Sequence, residues 1–172
     1  MTIMKIKSKI CLALAMMTLC CGALASCGDN AEKNEASSAA AANADVTIDV
    51  AAVADKLQSD ITYVDTLTQL SADMIEKLFG LAEGTDYKAG KVYVGSGGAT
   101  AEEIACFEAN DEEGAAKIKT VLEERIESQK TAFENYQPQE MDKLNDPVLV
   151  TKGSYVFMCI SDDNAKAKEI IG

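Results

Sequence analysis

The clearest hydrophobic pattern in the chain is a stripe at helical spacing in its C-terminal half. Acidic residues fall mainly on the other side of this segment, as is typical of a helix that packs one face on a core. Asn110 or Asp111 can cap its first turn, and Pro138 requires the helix to end by Gln137. Gln129 interrupts the stripe. Its apolar members are Ala115, Ile118, Leu122, Ile126 and Phe133. The pattern therefore predicts one long amphipathic helix.

Four short apolar stretches are predicted to be β-strands. Lys91–Val94 and Glu103–Ala109 lie on either side of a glycine-rich loop. Val148–Thr151 and Ser154–Ile160 flank Lys152-Gly153, a two-residue connection that favours a hairpin. Because both arms of this hairpin are apolar on both faces, we expect the pair to lie in the interior of the sheet, with layers above and below.

Shorter helices are predicted at both ends of this region. Asp49 can cap a first helix, and Ser71 can cap a second that Gly80 would end. Asp162-Asp163 can begin a terminal helix, whereas residues 61–70 show no clear pattern. The apolar positions of the first two helices are Val50, Val53, Ala54, Leu57, Met74, Ile75, Leu78 and Phe79. These elements predict a single α+β domain, in which an antiparallel sheet of about four strands packs against one long helix, with short N- and C-terminal helices.

The start of the chain has the organisation of a bacterial lipoprotein signal. Three lysines precede a run of 16 uncharged, mostly apolar residues, which is shorter than the roughly 20 residues that a membrane-spanning helix needs. Small residues then precede a cysteine in Leu24-Ala25-Ser26-Cys27. We therefore expect residues 1–26 to be a signal peptide, with cleavage between Ser26 and Cys27 and diacylglyceryl modification of the Cys27 thiol. An ordinary secretory signal or an uncleaved anchor is the alternative.

Beyond Cys27 the chain divides into a polar segment and an apolar-rich one. The lysines of the signal hold the N-terminus inside, so the lipid would anchor the mature protein to the cell membrane on its extracytoplasmic side. Residues 28–45 contain no aliphatic residue larger than Ala and are predicted, with Cys27, to form a flexible tether over 27–45. Residues 46–172 are numerous enough for one globular domain with its own core.

Charge and composition exclude several classes of protein. Three of the 16 basic residues leave with the signal and all 28 acidic ones remain, so the mature chain keeps 13 basic residues and a net charge of −15. This sign disfavours nucleic acid and anionic lipid headgroups as partners of the domain. The chain contains no histidine, which excludes a Ser-His-Asp triad, a Cys-His dyad and His-ligated zinc or haem. We predict no catalytic residue, no cofactor and no metal ligand.

Three motifs could carry chemistry, and each also has a structural interpretation. Gly95-Ser96-Gly97-Gly98 could cradle a phosphate, but it lacks the full dinucleotide fingerprint and the P-loop lysine, and Glu102 and Glu103 stand nearby. Asn110–Glu113 and Asp162–Asn164 could bind a hard cation, but they lack the spacing of a calcium loop and occur where helix caps are needed. We therefore predict a flexible hairpin loop and two helix caps.

Two cysteines remain in the globular part, Cys106 and Cys159. A single pair does not make a disulfide framework. Both cysteines lie in apolar strands, where free Cys behaves as a small hydrophobic residue. A cross-strand disulfide is the alternative in an exported protein.

Several of these features occur in an order that resembles a known family. After the lipoprotein signal and tether come Glu103-Ile104-Ala105, the Glu-rich helix, Tyr136-x-Pro138 and Thr151-Lys152-Gly153-Ser154-Tyr155-Val156. The chain resembles a family of small exported lipoproteins of Clostridia-like Gram-positive bacteria, whose shared domain has no assigned function. The resemblance implies a Gram-positive envelope and carries over no catalytic residue. Tyr136 could mark a ligand surface, although an aromatic that covers a helix end is the simpler interpretation.

The sequence supports two functional hypotheses. The first is a membrane-anchored extracytoplasmic lipoprotein that is a non-enzymatic binding or accessory module of the cell envelope, with an envelope protein or a small ligand as its partner. The second is an envelope enzyme that uses carboxylates or a metal. The absence of histidine and of a nucleophile motif favours the first.

Substitution of the acceptor cysteine tests the anchor. Because only the Cys27 thiol can accept the diacylglyceryl group, we expect Cys27→Ala to block both lipid attachment and lipoprotein-type cleavage. Radiolabelled fatty acid should enter the wild-type protein and not the variant. Equal labelling of the two proteins would disprove the assignment.

Overall fold

An antiparallel sheet of five strands lies in the middle of the protein, whose computed structural model describes residues 47–172. The predicted signal peptide, the predicted lipidation site Cys27 and the predicted tether of residues 27–45 lie outside the described residues. The strands are arranged in the order β1-β2-β3-β5-β4. Their bounds are β1 Leu67–Gln69, β2 Tyr87–Gly95, β3 Glu103–Ala109, β4 Val148–Lys152 and β5 Tyr155–Ile160.

Helices cover both faces of the sheet. Their bounds are α1 Val50–Asp60, α2 Ala72–Phe79, α3 Glu112–Phe133, α4 Met141–Asn145 and α5 Asn164–Ile171, with a 3₁₀ turn at Pro138–Glu140 before α4. The helices α2 and α3 pack with α4 over one face, and α1 and α5 share the other. The α+β class is confirmed. Residues 47–172 contain five strands rather than about four, and five α-helices rather than the four that the pattern predicts, one long and three short.

The long helix α3 forms because its buried stripe matches the sheet beneath it. Ala115, Ile118, Leu122 and Ile126 are buried against the apolar side chains of β3 and β5 that point to this face. Gln129, which interrupts the stripe, is nevertheless buried. The opposite faces of β3 and β5 point Ile104 and other apolar residues towards α1 and α5. Alternation of side chains along the two central strands therefore builds two cores, one on each face.

Two of the three predicted helix-capping residues at α1 and α2 act as caps, Asp49 and Gly80. Asp49 accepts hydrogen bonds from the amides of Ala51 and Ala52, both at 3.0 Å, at the start of α1. Ser71 precedes α2 without making a side-chain cap, whereas Gly80 ends this helix at a φ of 70°, where a residue with a Cβ would be strained. These contacts confirm the predicted positions of both helices.

The predicted interior position of the C-terminal hairpin is half right. β5 lies between β3 and β4, but β4 forms an edge of the sheet. β4 is apolar because it packs against helices on both sides, and this burial does not require a second neighbouring strand. The turn also lies one residue later than predicted, at Gly153-Ser154, because Lys152 pairs with Tyr155.

Two further elements were not predicted from the pattern. β1 forms within the unpatterned segment 61–70, where it pairs with the end of β2. The turn at Pro138–Glu140 and α4 follow α3 directly. Both elements are short, and a three- to five-residue element is too brief to show a hydrophobic period.

Cys106 and Cys159 are free and buried. The strand register places Cys159 opposite Ile104 and Cys106 opposite Phe157, so the two cysteines are diagonal neighbours on one face. Diagonal Cβ atoms lie farther apart than the roughly 4 Å that a disulfide spans. Burial raises the pKa of both thiols, so neither is a thiolate near neutral pH.

No helix within residues 47–172 is both long enough and apolar enough to cross a membrane.

Truncation of a buried residue of α3 tests the role of its stripe. Leu122→Ala should lower the free energy of unfolding by about 2–5 kcal/mol, because it removes buried methyl groups and leaves a cavity. The neighbouring exposed Glu124→Ala should change it by less than about 0.5 kcal/mol. Denaturant titration of a protein beginning at Val46 measures both values. Equal effects of the two substitutions would contradict the packing described here.

Candidate functional site

Two consecutive glutamates at the start of β3 are buried. Glu102 is 2% exposed and Glu103 is 1% exposed, although carboxylates are rarely buried without partners. Their side chains enter different networks on the two sides of the strand. The geometry of each network decides whether these groups are available for chemistry.

Glu102 belongs to a network centred on the ammonium of Lys143. Lys143 Nζ lies 3.0 Å from Glu102 Oε1, 3.2 Å from Glu140 Oε2 and 3.4 Å from Asp162 Oδ2. The Lys143 side chain is only 5% exposed. Burial lowers its pKa, but the hydrogen bonds to Glu102 and Glu140 outweigh that effect and hold the pKa above its ordinary value. The lysine therefore stays charged among three carboxylates.

Backbone amides also donate to the two buried carboxylates of this network. Glu102 accepts hydrogen bonds from the amides of Val64 and Asp65, both at 2.9 Å. Glu140 Oε2 accepts one from the amide of Ala101, also at 2.9 Å. Glu102 thus fixes the chain before β1, and Glu140 fixes the chain before β3.

Glu103 belongs to a second network, with two residues of α3. Arg125 Nη2 donates to Glu103 Oε2 at 2.8 Å, and Gln129 Nε2 donates to the same oxygen at 2.7 Å. Burial raises the pKa of Glu103, and this effect outweighs the lowering by Arg125 and Gln129. The interruption of the apolar stripe at Gln129 is explained by this contact.

A crevice of about 240 Å³ opens beside the second network, between α3 and the loop from β2 to β3. Gln129 and Thr100 are among the residues that line it, and their Oε1 and Oγ1 atoms are buried without a hydrogen-bond partner among residues 47–172. Glu103 and Arg125, which already form an ion pair, also line the crevice. The Glu103 carboxylate is itself buried and enclosed by its partners.

The glycine-rich loop holds a carboxylate from the protein itself. The Gly97 amide donates to Asp65 Oδ2 at 2.6 Å, and the Ser96 hydroxyl donates to Asp65 Oδ1 at 3.2 Å. The Gly97 amide holds the pKa of Asp65 below its ordinary value. The Gly97 amide and the Ser96 hydroxyl therefore bind the Asp65 carboxylate of the same chain rather than a phosphate. This agrees with the predicted role of the segment as a hairpin loop.

The two acidic clusters separate into caps and ion-pair partners. Asp111 accepts a hydrogen bond from the Gly114 amide at 2.7 Å, and Asp163 accepts one from the Lys166 amide at 2.9 Å. Asp162 instead points to Lys143, and Asn164 donates to Asp146. Within the described part of the chain, no group of three or more acidic or cysteine side chains is placed to hold a metal ion. Each cluster thus supplies one helix cap, Asp111 for α3 and Asp163 for α5, whereas Asp162 and Asn164 have other partners.

A second concavity of about 660 Å³ lies between α3 and the edge strand β4. Ile126, Pro147 and Leu149 supply its apolar part. Three exposed glutamates of α3 stand along it, together with Lys130 and Thr120. These glutamates are Glu123, Glu124 and Glu127. We call this surface the α3–β4 groove.

Comparison with known proteins adds the family. The family model of a domain of unknown function, DUF4358, matches residues 59–161, which is more than half of the chain. The chain belongs to the DUF4358 family. No curated protein and no solved structure matches it.

The DUF4358 region contains most of both networks. It runs from the end of α1 to the residue after β5, so it includes Glu102, Glu103, Arg125 and Lys143 but not Asp162. The resemblance to a family with no assigned function is therefore confirmed. The exported lipoprotein character and the bacterial source stay predictions.

Sequence reasoning missed both networks of the DUF4358 domain. The sequence predicts that Glu102 and Glu103 repel a phosphate and that Glu103 begins a strand, but it predicts no partner for either, and no pattern singles out Lys143. One available signal is the pair of adjacent charges beside a strand that is otherwise apolar, Ile104–Phe107. Such charges need buried partners, but the sequence does not indicate which of many charged residues supplies them.

Removal of the buried lysine tests the first network. Lys143→Met should lower the free energy of unfolding by roughly 3–5 kcal/mol, because it leaves buried carboxylates without their cation. The double variant Glu102→Gln/Lys143→Met should recover part of that loss. As a matched control, Lys117→Met removes an exposed ion pair with Glu113 and should lower the free energy of unfolding far less, because water screens that pair. Denaturant titration compares them, and equal losses for the two lysines would refute the role assigned to Lys143.

Proposed function

We propose that this protein is a lipid-anchored module of the cell envelope that binds a partner on the extracytoplasmic side of the membrane and does not transform a substrate. The motif Leu24-Ala25-Ser26-Cys27 supports the anchor, and the polar residues 28–45 support a tether that lets the domain reach away from the bilayer. The domain itself supplies the argument for binding.

The observation that carries the proposal is the engagement of the buried charges. Glu102, Glu103 and Glu140 each have a cation and at least one further hydrogen-bond donor as partners. A general acid or base must exchange protons with a substrate, and a carboxylate that is enclosed by such partners is poorly placed to do so. We therefore infer that these networks hold the fold.

The alternative is an envelope enzyme that uses carboxylates or a metal, and the Lys143 network argues against it. Lys143 Nζ occupies the position between Glu102, Glu140 and Asp162 that a metal ion would need. The chain also has no histidine to assist such a metal or to act as a base. Binding through the exposed surface requires none of these groups.

Photocrosslinking in intact cells tests the proposal. A photoreactive amino acid is placed in the full-length chain at one exposed position at a time, Lys56 on α1, Ala99 beside the crevice or Thr120 in the α3–β4 groove. After gentle detergent extraction, we expect a discrete adduct from a subset of these positions, because a bound partner covers one face. Absence of an adduct from every position would contradict a binding function.

An activity control separates the two hypotheses. If extracts contain a substrate that the purified protein converts, and if Glu103→Gln abolishes this conversion without unfolding the domain, the protein is an enzyme and the proposal is wrong. Circular dichroism of the variant monitors folding in parallel.

A further inference from the structure

The free edge of β4 offers an unpaired row of backbone groups. The Ser154 carbonyl accepts a hydrogen bond from the Ala109 amide at 2.8 Å, so alternate residues of β5 from this position point their backbone groups towards β3. The residues between them, Tyr155 and Phe157, point theirs towards Lys152 and Val150 of β4. The backbone groups of the intervening β4 residues, Leu149 and Thr151, therefore point away from the sheet.

The outward groups of Leu149 and Thr151 have no hydrogen-bond partner among residues 47–172. Natural proteins often guard an edge strand with a charged side chain, but Lys152 donates to the carbonyl of Ile171 at 2.7 Å instead. The other edge strand, β1, has only three residues. β4 is consequently the longer and less protected edge.

The α3–β4 groove runs beside this edge and carries negative charge. Glu124 has no ion-pair partner in the described part of the chain. Glu123 pairs with Lys119, and Glu127 pairs with Lys130 at 2.7 Å, but these are exposed pairs on one helix. Exposed pairs of this kind contribute little to stability, so these carboxylates can instead pair with a cationic side chain of a partner.

We propose that β4 and the α3–β4 groove bind an extended, basic segment of a protein partner, which adds as a sixth strand to the sheet. The inference rests on the binding function proposed above and names the surface and the class of partner. Backbone hydrogen bonds with Leu149 and Thr151 would supply affinity, as in other cases of strand addition. Alternate side chains of the added strand would face α3, where lysines or arginines meet Glu123, Glu124 and Glu127.

Charge favours this occupant over two others. The tether, residues 28–45, contains four acidic residues and one lysine and has no aliphatic residue larger than Ala, so it would be repelled by the groove and could not fill it. A second copy paired through β4 would bring two α3 helices together on one face, with the glutamates of each facing those of the other. A basic segment of another protein would not be repelled by the glutamates of the groove.

Peptide binding to the full-length protein tests the inference. The probe is the peptide Val-Lys-Val-Lys-Val-Lys-Val with a fluorescent label, and its controls have Glu in place of Lys or Pro in place of the central Lys. We expect fluorescence anisotropy to report binding of the basic peptide alone, weakening with added NaCl. Equal binding of the acidic or the proline peptide would overturn the inference.

Two variants locate the binding. Thr151→Pro removes an outward amide without disturbing the bonds between β4 and β5, and Glu123→Lys/Glu127→Lys reverses the charge of the groove. Each should weaken binding about tenfold or more. The charge-matched control Glu76→Lys/Glu83→Lys, at exposed positions elsewhere, should leave binding almost unchanged. Unchanged binding in both groove variants would refute the assignment, as would a dimer that Thr151→Pro dissociates, because β4 would then bind a second copy.

The crosslinking result distinguishes failure of this inference from failure of the proposed function. A partner captured from Lys56 or Ala99 but not from Thr120 would leave the binding function in place and would overturn the groove as its site. An adduct from Thr120 that is lost in the Glu123→Lys/Glu127→Lys variant would support both. No adduct from any position would remove both together.

Discussion

One buried ammonium group joins three segments of the chain that are distant in sequence, at residues 102, 140–143 and 162. Lys143 comes from α4, and its three carboxylate partners come from the residue before β3, from the 3₁₀ turn and from the loop between β5 and α5. Through Glu102 the same network reaches the amides that precede β1. The end of the sheet where β1, β2 and β3 meet the connecting loops is therefore organised by charge, whereas both faces are organised by apolar packing.

A buried network of this kind selects a structure more than it stabilises one. The cost of removing ions from water offsets much of their attraction, so a well-packed apolar replacement could be equally stable. Any arrangement that buries Glu102 without Lys143, however, pays the full cost of an unpaired charge. The network thus penalises other placements of the loop before β3, in which the glycine-rich segment and Thr100 would otherwise be free to shift.

The sequence predicted those elements whose hydrophobic pattern is long enough to recognise. It did not predict features that depend on where an element lies in the folded domain. The stripe of α3, the caps at Asp49 and Asp111 and the strand Glu103–Ala109 follow from local patterns, and the structure confirms them. The edge position of β4 could not be predicted, because helices on both faces make a strand apolar whether or not it has two neighbours. Similarly, the burial of the polar Gln129 could not be predicted, because the residue that it binds, Glu103, is 26 residues away in the sequence.

The two cysteines of the domain are free, and their surroundings keep them from forming a disulfide. Cys106 and Cys159 are enclosed in the core between the sheet and α1, they are too far apart in register to join, and burial keeps them protonated. Oxidants and thiol exchange act on accessible thiolates, and neither cysteine presents one. The same fold is therefore compatible with the reducing interior of a cell and with an oxidising exterior. Synthesis in one compartment and residence in the other would require no change in bonding, and no oxidative folding enzyme would be needed between them.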